Sequence, residues 1–181
     1  AQVSQLLLQQ PASGAVTLSG SHQLCVDRRH WIVTPRTTTT NDKVYMLSDD
    51  MSVLATPHFV LRCHRVPREA YSLVPDLQVA ALDSAMLRFP LQVRRWRPGD
   101  DFYPLGMRGR KKVSDFLIDT KVPRPHKERV YVVTSAGQIV WVVGHRIDDR
   151  FKVTPSTMQL VVLQKDDVPP SQVALIDADT I

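Results

Sequence analysis

The sequence predicts an α+β fold that is predominantly β, and two observations predict it. Short runs rich in β-branched and aromatic residues recur between residues 16 and 163, and Gly, Pro, Ser or Asp residues separate them, which is typical of strands joined by turns. Only residues 114–121 carry a clear helix start and stop signal. With 43% hydrophobic residues among 181, the chain has enough apolar side chains for a packed core.

The expected elements follow one another along the chain. Residues 5–10 are expected to end a helix that Pro11 and Gly14 close. The Thr-rich residues 37–42 are expected to be a solvated loop, and residues 67–75 an irregular segment with one helical turn. Strands are predicted at residues 16–20, 24–27, 31–35, 44–47, 58–66, 77–83, 86–89, 90–96, 130–134, 138–143 and 158–163.

The helix and one pair of strands have specific terminal chemistry. Ser114 is a favourable N-cap for a helix that continues to Lys121. Val122-Pro123 stops this helix, because a residue that precedes proline disfavours helical backbone angles. The strands at residues 130–134 and 138–143 are separated only by Ser135-Ala136-Gly137, so we expect a β-hairpin there.

Four regions are expected along the chain. They are the end of a helical linker region at residues 1–14, a β-rich subdomain at 15–83, a second domain at 84–164 and a loosely attached tail at 165–181. The chain does not begin with Met, so we expect it to be a fragment of a longer protein.

The cysteine content and hydropathy favour a cytoplasmic protein without a metal site or a membrane segment. Two cysteines do not form a disulfide framework, and the longest apolar run is too short to cross a bilayer. The spacing of His22, Cys25, Cys63 and His64 is not that of a known zinc finger, so no metal ligands are expected.

The positive charge of the chain is concentrated in residues 94–129. This segment has 11 Lys and Arg residues against 5 Asp and Glu residues, whereas the whole chain has a net charge of +5. All other residues together are therefore slightly acidic. Charge concentrated in this way favours a polyanionic partner, most simply a phosphate backbone.

The turn and loop signals of this segment suggest how an anion could be bound. Arg97-Pro98-Gly99-Asp100 predicts a type II turn, because Pro fixes φ at its second position and Gly supplies a positive φ at its third. Gly106 and Gly109 allow the backbone around Met107-Arg108 to bend sharply. Lys111-Lys112 then precedes the expected N-terminus of the helix, where free N–H groups favour an anion.

A second basic stretch occupies residues 144–152. It follows an apolar strand, and side chains at strand ends are often placed for binding. Two interpretations remain open with equal weight: phosphate contacts by Arg146, Arg150 and Lys152, or internal ion pairs with Asp148 and Asp149. For the first basic segment, a merely solvated charged face is the alternative. The candidate phosphate contacts of both stretches are Arg97, Arg108, Arg110, Lys111, Lys112, Lys121, Arg124, Arg129, Arg146 and Lys152.

Two segments resemble a known family. RRWRPGDDFYPLGMRGRKKVSDFLIDTKVPR, starting at residue 94, and IVWVVGHRIDDRFKVT, starting at residue 139, resemble the C-terminal domain of bacterial tRNA(Ile)-lysidine synthetase. The resemblance is specific over residues 90–163 and weaker over residues 5–35. It implies layered antiparallel β sheets with a few short helices, a fold shared with the B3/B4 domains of the phenylalanyl-tRNA synthetase β subunit.

The resemblance also implies a function. In this family, ATP is used to adenylate an anticodon cytidine of tRNA(Ile), and lysine then displaces AMP to form lysidine. The S-G-G-x-D-S loop that binds ATP is absent from this sequence, so ATP and Mg are expected in a missing catalytic domain and no catalytic residue is expected here. The chain would be an accessory domain that binds tRNA, chiefly at the acceptor stem.

Two other classes of function remain open. The chain could be a protein-interaction or dimerisation module, with a homodimer formed through apolar strands such as residues 138–143. An independent hydrolase or metalloenzyme is least favoured, because no Ser or Cys has a recognisable base nearby in sequence.

Overall fold

A computed structural model describes residues 16–18, 22–27, 30–35 and 43–167. The chain divides into two compact units. The smaller unit contains residues 1–42 and 117–129, and the larger unit contains residues 43–116 and 130–181.

The smaller unit contains an antiparallel sheet of three strands. These are β1 (Val16–Leu18), β2 (His22–Asp27) and β3 (His30–Pro35), in the order β1-β2-β3. All three were predicted from β-branched runs separated by Gly and Asp, and all three are confirmed. Residues 5–10 and 37–42, for which a helix end and a loop were predicted, lie outside the described residues.

The larger unit contains two main antiparallel sheets. One has the order β13-β12-β11-β8-β4, and the other has the order β5-β6-β14-β7. The strands of the first are β4 (Tyr45–Leu47), β8 (Leu91–Arg95), β11 (Tyr131–Ser135), β12 (Gln138–Val142) and β13 (Arg146–Ile147). Those of the second are β5 (Val53–Ala55), β6 (Phe59–Pro67), β7 (Val79–Asp83) and β14 (Gln159–Asp167). A short ribbon pairs β9 (Asp101–Phe102) with β10 (Lys111–Lys112).

The two main sheets share one hydrophobic core. Strand β11 of the first sheet contributes Val133, and strand β14 of the second contributes Leu163; neither side chain is exposed. Val132 also has no exposed surface, although its side chain alternates with Val133 along β11 and does not belong to this core. The first sheet is therefore covered on both faces, which gives the layered, mostly antiparallel architecture that was expected.

The packing of the core also bears on two expectations from the sequence. Ile139–Val143 is buried throughout, so the strand proposed as a subunit face is instead part of the interior of the larger unit. Residues 43–83 supply β4 to β7 of this unit, so they share a core with the region in which a second domain was predicted. By compactness the larger unit begins at residue 43, and the smaller unit also contains residues 117–129.

The main helix begins earlier and ends sooner than predicted. Helix α1 spans Val113–Asp119, and α2 spans Arg124–Lys127. Ser114 lies inside α1 and donates to the Asp115 carboxylate at 3.1 Å, so its predicted role as N-cap is wrong. The reason is tertiary: the preceding Lys111–Lys112 is held as a strand, and the Val113 amide donates to the Asp100 carbonyl at 2.9 Å.

Most other predicted strands are confirmed. The strand at residues 86–89 is wrong: Ser84–Met86 forms a 3-10 turn, because the Asp83 carboxylate accepts the Ala85 amide at 3.0 Å. Strand β14 continues to Asp167, so the expected tail does not begin at residue 165, and residues 168–181 lie outside the described part. In the ranges that the structure describes, no helix has the length and apolar character needed to cross a membrane.

Candidate nucleic-acid interface

The Pro-Gly turn before β9 is held by a carboxylate. Gly99 has a φ of 95°, as the predicted turn requires. The Asp100 carboxylate accepts the Arg97 amide at 2.7 Å, and it accepts two hydrogen bonds from Arg94, at 2.8 and 2.9 Å. The Arg94 and Asp100 side chains are only 13% and 14% exposed. Arg94 therefore serves the structure of the turn, whereas the Arg97 side chain is exposed beside it.

The next loop carries Arg108 between two glycines. Gly106 and Gly109 have φ values of 77° and 78°, a backbone conformation that residues with a Cβ rarely adopt. The Met107 amide donates to the Pro104 carbonyl at 2.9 Å and closes a tight turn. This turn leaves Arg108 exposed at the tip of the loop. We call residues 103–109 the basic loop.

The second basic stretch lies directly against the basic loop. The Leu105 amide donates to the Ile147 carbonyl at 3.0 Å, and the Asp149 amide donates to the Tyr103 carbonyl at 2.6 Å. Arg146 donates to the Leu105 carbonyl at 3.0 Å. The fold thus brings together two motifs that are about 40 residues apart in sequence, and it uses Arg146 to hold the loop backbone.

Asp148 and Arg150 form the centre of this contact. Asp148 has no exposed surface, and its carboxylate accepts hydrogen bonds from the Tyr103 amide at 2.9 Å and from Arg150 at 2.8 and 2.9 Å. The hydrogen bonds to Asp148 raise the pKa of the Arg150 guanidinium further above its usual value. The sequence left Arg150 open between a phosphate contact and an internal ion pair, and the structure shows an ion pair with Asp148. The Arg150–Asp148 pair and the Lys152–Asp149 contact at 3.0 Å are both internal ion pairs of the kind that the sequence offered as an alternative.

The lysine pair occupies a strand and not a loop before a helix. Lys111 and Lys112 form β10, with Lys112 opposite Asp101 on β9. Arg110 pairs with the same Asp101, at 2.7 Å from its Nε, and its side chain remains 64% exposed. Lys112 is exposed, whereas Lys111 is partly buried and makes an interaction of its own.

Three of the predicted contacts, Lys121, Arg124 and Arg129, lie in the smaller unit. Lys121 has a φ of 58°, and its amide donates to the Ile118 carbonyl at 2.9 Å, so its backbone ends α1 in the left-handed conformation common at helix ends. Arg124 is the first residue of α2 and is exposed. The Arg129 amide donates to the His126 carbonyl at 3.0 Å. Arg124 and Arg129 both make interactions within the chain.

The predicted cations of the larger unit thus fall into two groups. Within the described ranges, Arg97, Arg108 and Lys112 have no ion-pair partner and are exposed. Arg110 and Lys152 face carboxylates, Arg146 binds a backbone carbonyl, and Lys111 also makes an interaction within the chain. The first group is chemically suited to bind anions such as phosphates. No group of three or more His, Cys, Asp or Glu side chains in the described part of the chain could hold a metal ion.

Comparisons with known proteins point to one family. Residues 91–170 match the model of the TilS substrate C-terminal domain. The tRNA(Ile)-lysidine synthase of Parabacteroides distasonis is 34% identical over 151 residues, which cover 83% of this chain and 34% of that protein. The tRNA(Ile)-lysidine synthase of Bacteroides thetaiotaomicron is 36% identical over 107 residues, 59% of this chain and 22% of that protein. The chain therefore spans about a third or less of the length of these relatives.

A solved structure supports the fold. The crystal structure of a TilS C-terminal domain superposes with a TM-score of 0.60 and 24% sequence identity, covering 70% of this chain and 99% of that domain. At this level of identity the likeness establishes the architecture alone.

Proposed function

We propose that this chain is the tRNA-binding part of a tRNA(Ile)-lysidine synthase. The premise is that the chain belongs, through residues 91–170, to the TilS substrate C-terminal domain family. The activity of the whole protein would be the ATP-dependent ligation of lysine to the anticodon cytidine of tRNA(Ile). ATP and Mg would be bound by a catalytic domain outside this chain, in the cytoplasm. The chain itself would supply affinity for the tRNA, chiefly at the acceptor stem.

One observation carries the proposal: the basic loop and its neighbours present cations that no carboxylate among the described residues neutralises. Arg108 stands exposed between two glycines, and Arg97 and Lys112 are exposed nearby in sequence. A cation without a partner inside the protein keeps its full attraction for an external anion, whereas an ion-paired one must first be released.

The type of nucleic acid follows from the kind of group presented. An A-form RNA helix has a deep, narrow major groove that side chains cannot read, so proteins bind it through phosphates, 2′-hydroxyls and shape. Arg and Lys side chains on a fixed loop suit that task because they position the RNA without reading its bases. The acceptor stem of a tRNA is such a helix.

The test is the salt dependence of binding by the 181-residue chain. We expect tRNA(Ile) to bind with a log–log salt slope of about −3 to −5, as ~4–6 neutralised phosphates require. The measurement is fluorescence anisotropy of labelled tRNA at a series of KCl concentrations, with light scattering of the free and bound chain in parallel. A flat salt response, or a stable dimer that ignores tRNA, would contradict the proposal; the latter would favour the interaction module.

A further inference from the structure

We infer that Asp148 is a positioning residue: its buried carboxylate, with Arg150, fixes the basic loop in the conformation that presents Arg108 to RNA. The inference rests on the proposed function, since it assigns that loop to RNA. It adds a residue that is negatively charged, that touches no RNA and that acts only through the loop it holds.

The contacts of Asp148 reach both sides of the loop junction. Its Oδ2 accepts the Tyr103 amide at 2.9 Å and the Arg150 Nη2 at 2.8 Å, while its Oδ1 accepts the Arg150 amide and Nε, both at 2.9 Å. Its own amide donates to the Val140 carbonyl at 2.9 Å. Asp148 therefore holds the start of the basic loop through its carboxylate and is itself held to β12 through its backbone amide.

Arg150 completes the arrangement from the outer side. Its guanidinium lies 4.6 Å from the centre of the Tyr103 ring, and its side chain is 38% exposed. Two of its donor groups are directed at Asp148, which is the geometry of a bidentate arginine–carboxylate pair. A lysine in this position would keep the charge but lose both the fork and the stacking.

Because Asp148 is negatively charged, its replacement distinguishes a positioning role from a simple effect of charge on RNA binding. A fully buried carboxylate cannot touch RNA, and its field opposes a phosphate nearby. If only long-range charge mattered, Asp148→Asn would strengthen binding, because the net charge becomes more positive. If the carboxylate fixes the loop, the same change weakens binding. Two of the four N–H donors that now point at the carboxylate, from Tyr103 and Arg150, would then face an amide nitrogen, and Arg108 would lose its fixed position.

The test uses Asp148→Asn with Asp149→Asn as its matched control. Both variants remove one negative charge at adjacent positions, but Asp149 is 40% exposed and its carboxylate pairs only with Lys152 among the described residues. We expect Asp148→Asn to weaken tRNA(Ile) binding about 5- to 20-fold, the coupling typical of residues in one network, and Asp149→Asn to leave it unchanged or stronger. Equal or tighter binding by both variants would overturn the inference.

Two further measurements keep the result interpretable. Arg150→Lys should weaken binding in the same direction as Asp148→Asn; retention of affinity would mean that Arg150 acts through its charge alone, against the inference. Amide hydrogen exchange of the RNA-free chain should be faster at Tyr103 and Leu105 in Asp148→Asn and unchanged at Val132 and Val133. Unchanged exchange at the loop would overturn the inference. A wild-type chain that fails to bind tRNA would instead overturn the proposed function, and the exchange data would still decide whether Asp148 holds the loop.

Discussion

The basic stretches at residues 94–112 and 144–152 contain the same kinds of side chain, but the cations of the two stretches differ in whether they have ion-pair partners. In the first, Arg97, Arg108 and Lys112 are exposed without an ion-pair partner in the described ranges. In the second, Arg150 and Lys152 each contact an aspartate two or three residues earlier. The density of positive charge is therefore a poor guide to which cations are available for a partner.

The placement of the aspartates explains the difference. Asp148 and Asp149 lie at the start of a 3-10 turn (Asp149–Phe151), where side chains two and three residues apart meet. In the first stretch, Asp100 and Asp101 are already paired with Arg94 and Arg110. A carboxylate close in sequence therefore neutralises a cation only where the local backbone brings the two side chains together.

The strongest test of the comparison removes the exposed cations together. The triple variant Arg97→Ala, Arg108→Ala, Lys112→Ala should bind tRNA(Ile) about 100-fold more weakly and lower the salt slope by about 3, since each phosphate contact contributes about one unit. Its unfolding free energy should change by less than about 0.5 kcal/mol per site, as for exposed residues without partners. Anisotropy titrations at several salt concentrations measure the first quantity and urea denaturation the second. A normal slope would place the RNA elsewhere.

The second test concerns the cation of the first stretch that is committed to the fold. Arg94→Met should reduce the unfolding free energy by about 2 kcal/mol, because it leaves the mostly buried Asp100 carboxylate without two charged hydrogen bonds. Urea denaturation measures the loss. An unchanged urea midpoint would show that the turn is held without Arg94. Arg94 could then no longer be counted as a structural cation.

Lys152→Ala is expected to have a small effect on binding. Lys152 was predicted to contact tRNA, but its ammonium contacts both Asp149 oxygens at 3.0 Å. An exposed pair of this kind contributes about 0–1 kcal/mol, so stability should hardly change, and tRNA affinity should fall by less than about threefold. A loss as large as that caused by Arg108→Ala would show that RNA displaces Asp149, and the distinction between the two stretches would fail.

The smallest expected effect is a pH dependence at the start of the second stretch. Burial, followed by the nearby Lys165, lowers the pKa of His145 from its usual value of 6.5. The folded chain therefore protonates His145 less readily than the unfolded chain does. The contribution of neutral His145 to the free energy of unfolding is complete above about pH 6.5 and declines as the pH falls below that value. Thermal unfolding between pH 8 and pH 5 should show a shallower decline for His145→Gln than for the wild type. Identical profiles would contradict the assignment.

The elements that the sequence predicted correctly are those with local signals. The hairpin of β11 and β12 turns at Ala136 and Gly137, both with positive φ, and its strands have continuous apolar patterns. The two-residue strands β9, β10 and β13 were missed, because such short strands exist only through their partners. The same reason explains Ser114: its residue type favours an N-cap, but the pairing of β10 with β9 starts the helix one residue earlier.

The candidate site was predictable in composition but not in arrangement. Gly99, Gly106 and Gly109 indicated turns with positive φ, and the structure has them. The pairing of Arg110 with Asp101 depends on the register of β9 and β10, and that of Tyr103 with Asp148 links residues 45 apart in sequence. Contacts of this kind are set by tertiary structure, which is why the sequence could only leave ion pairs and phosphate contacts as equal alternatives.

The position of β14 within its sheet has a consequence for biosynthesis. This strand lies between β6 and β7, pairing with β6 over nine residues and with β7 over five, although it follows both in the chain. While the ribosome is still translating the residues before 159, β6 and β7 each have an edge that lacks its partner. Unpaired edges invite association with other chains. Folding of the larger unit is therefore completed only after residues 159–167 have left the exit tunnel, and nascent chains that stall before that point would be substrates for chaperones.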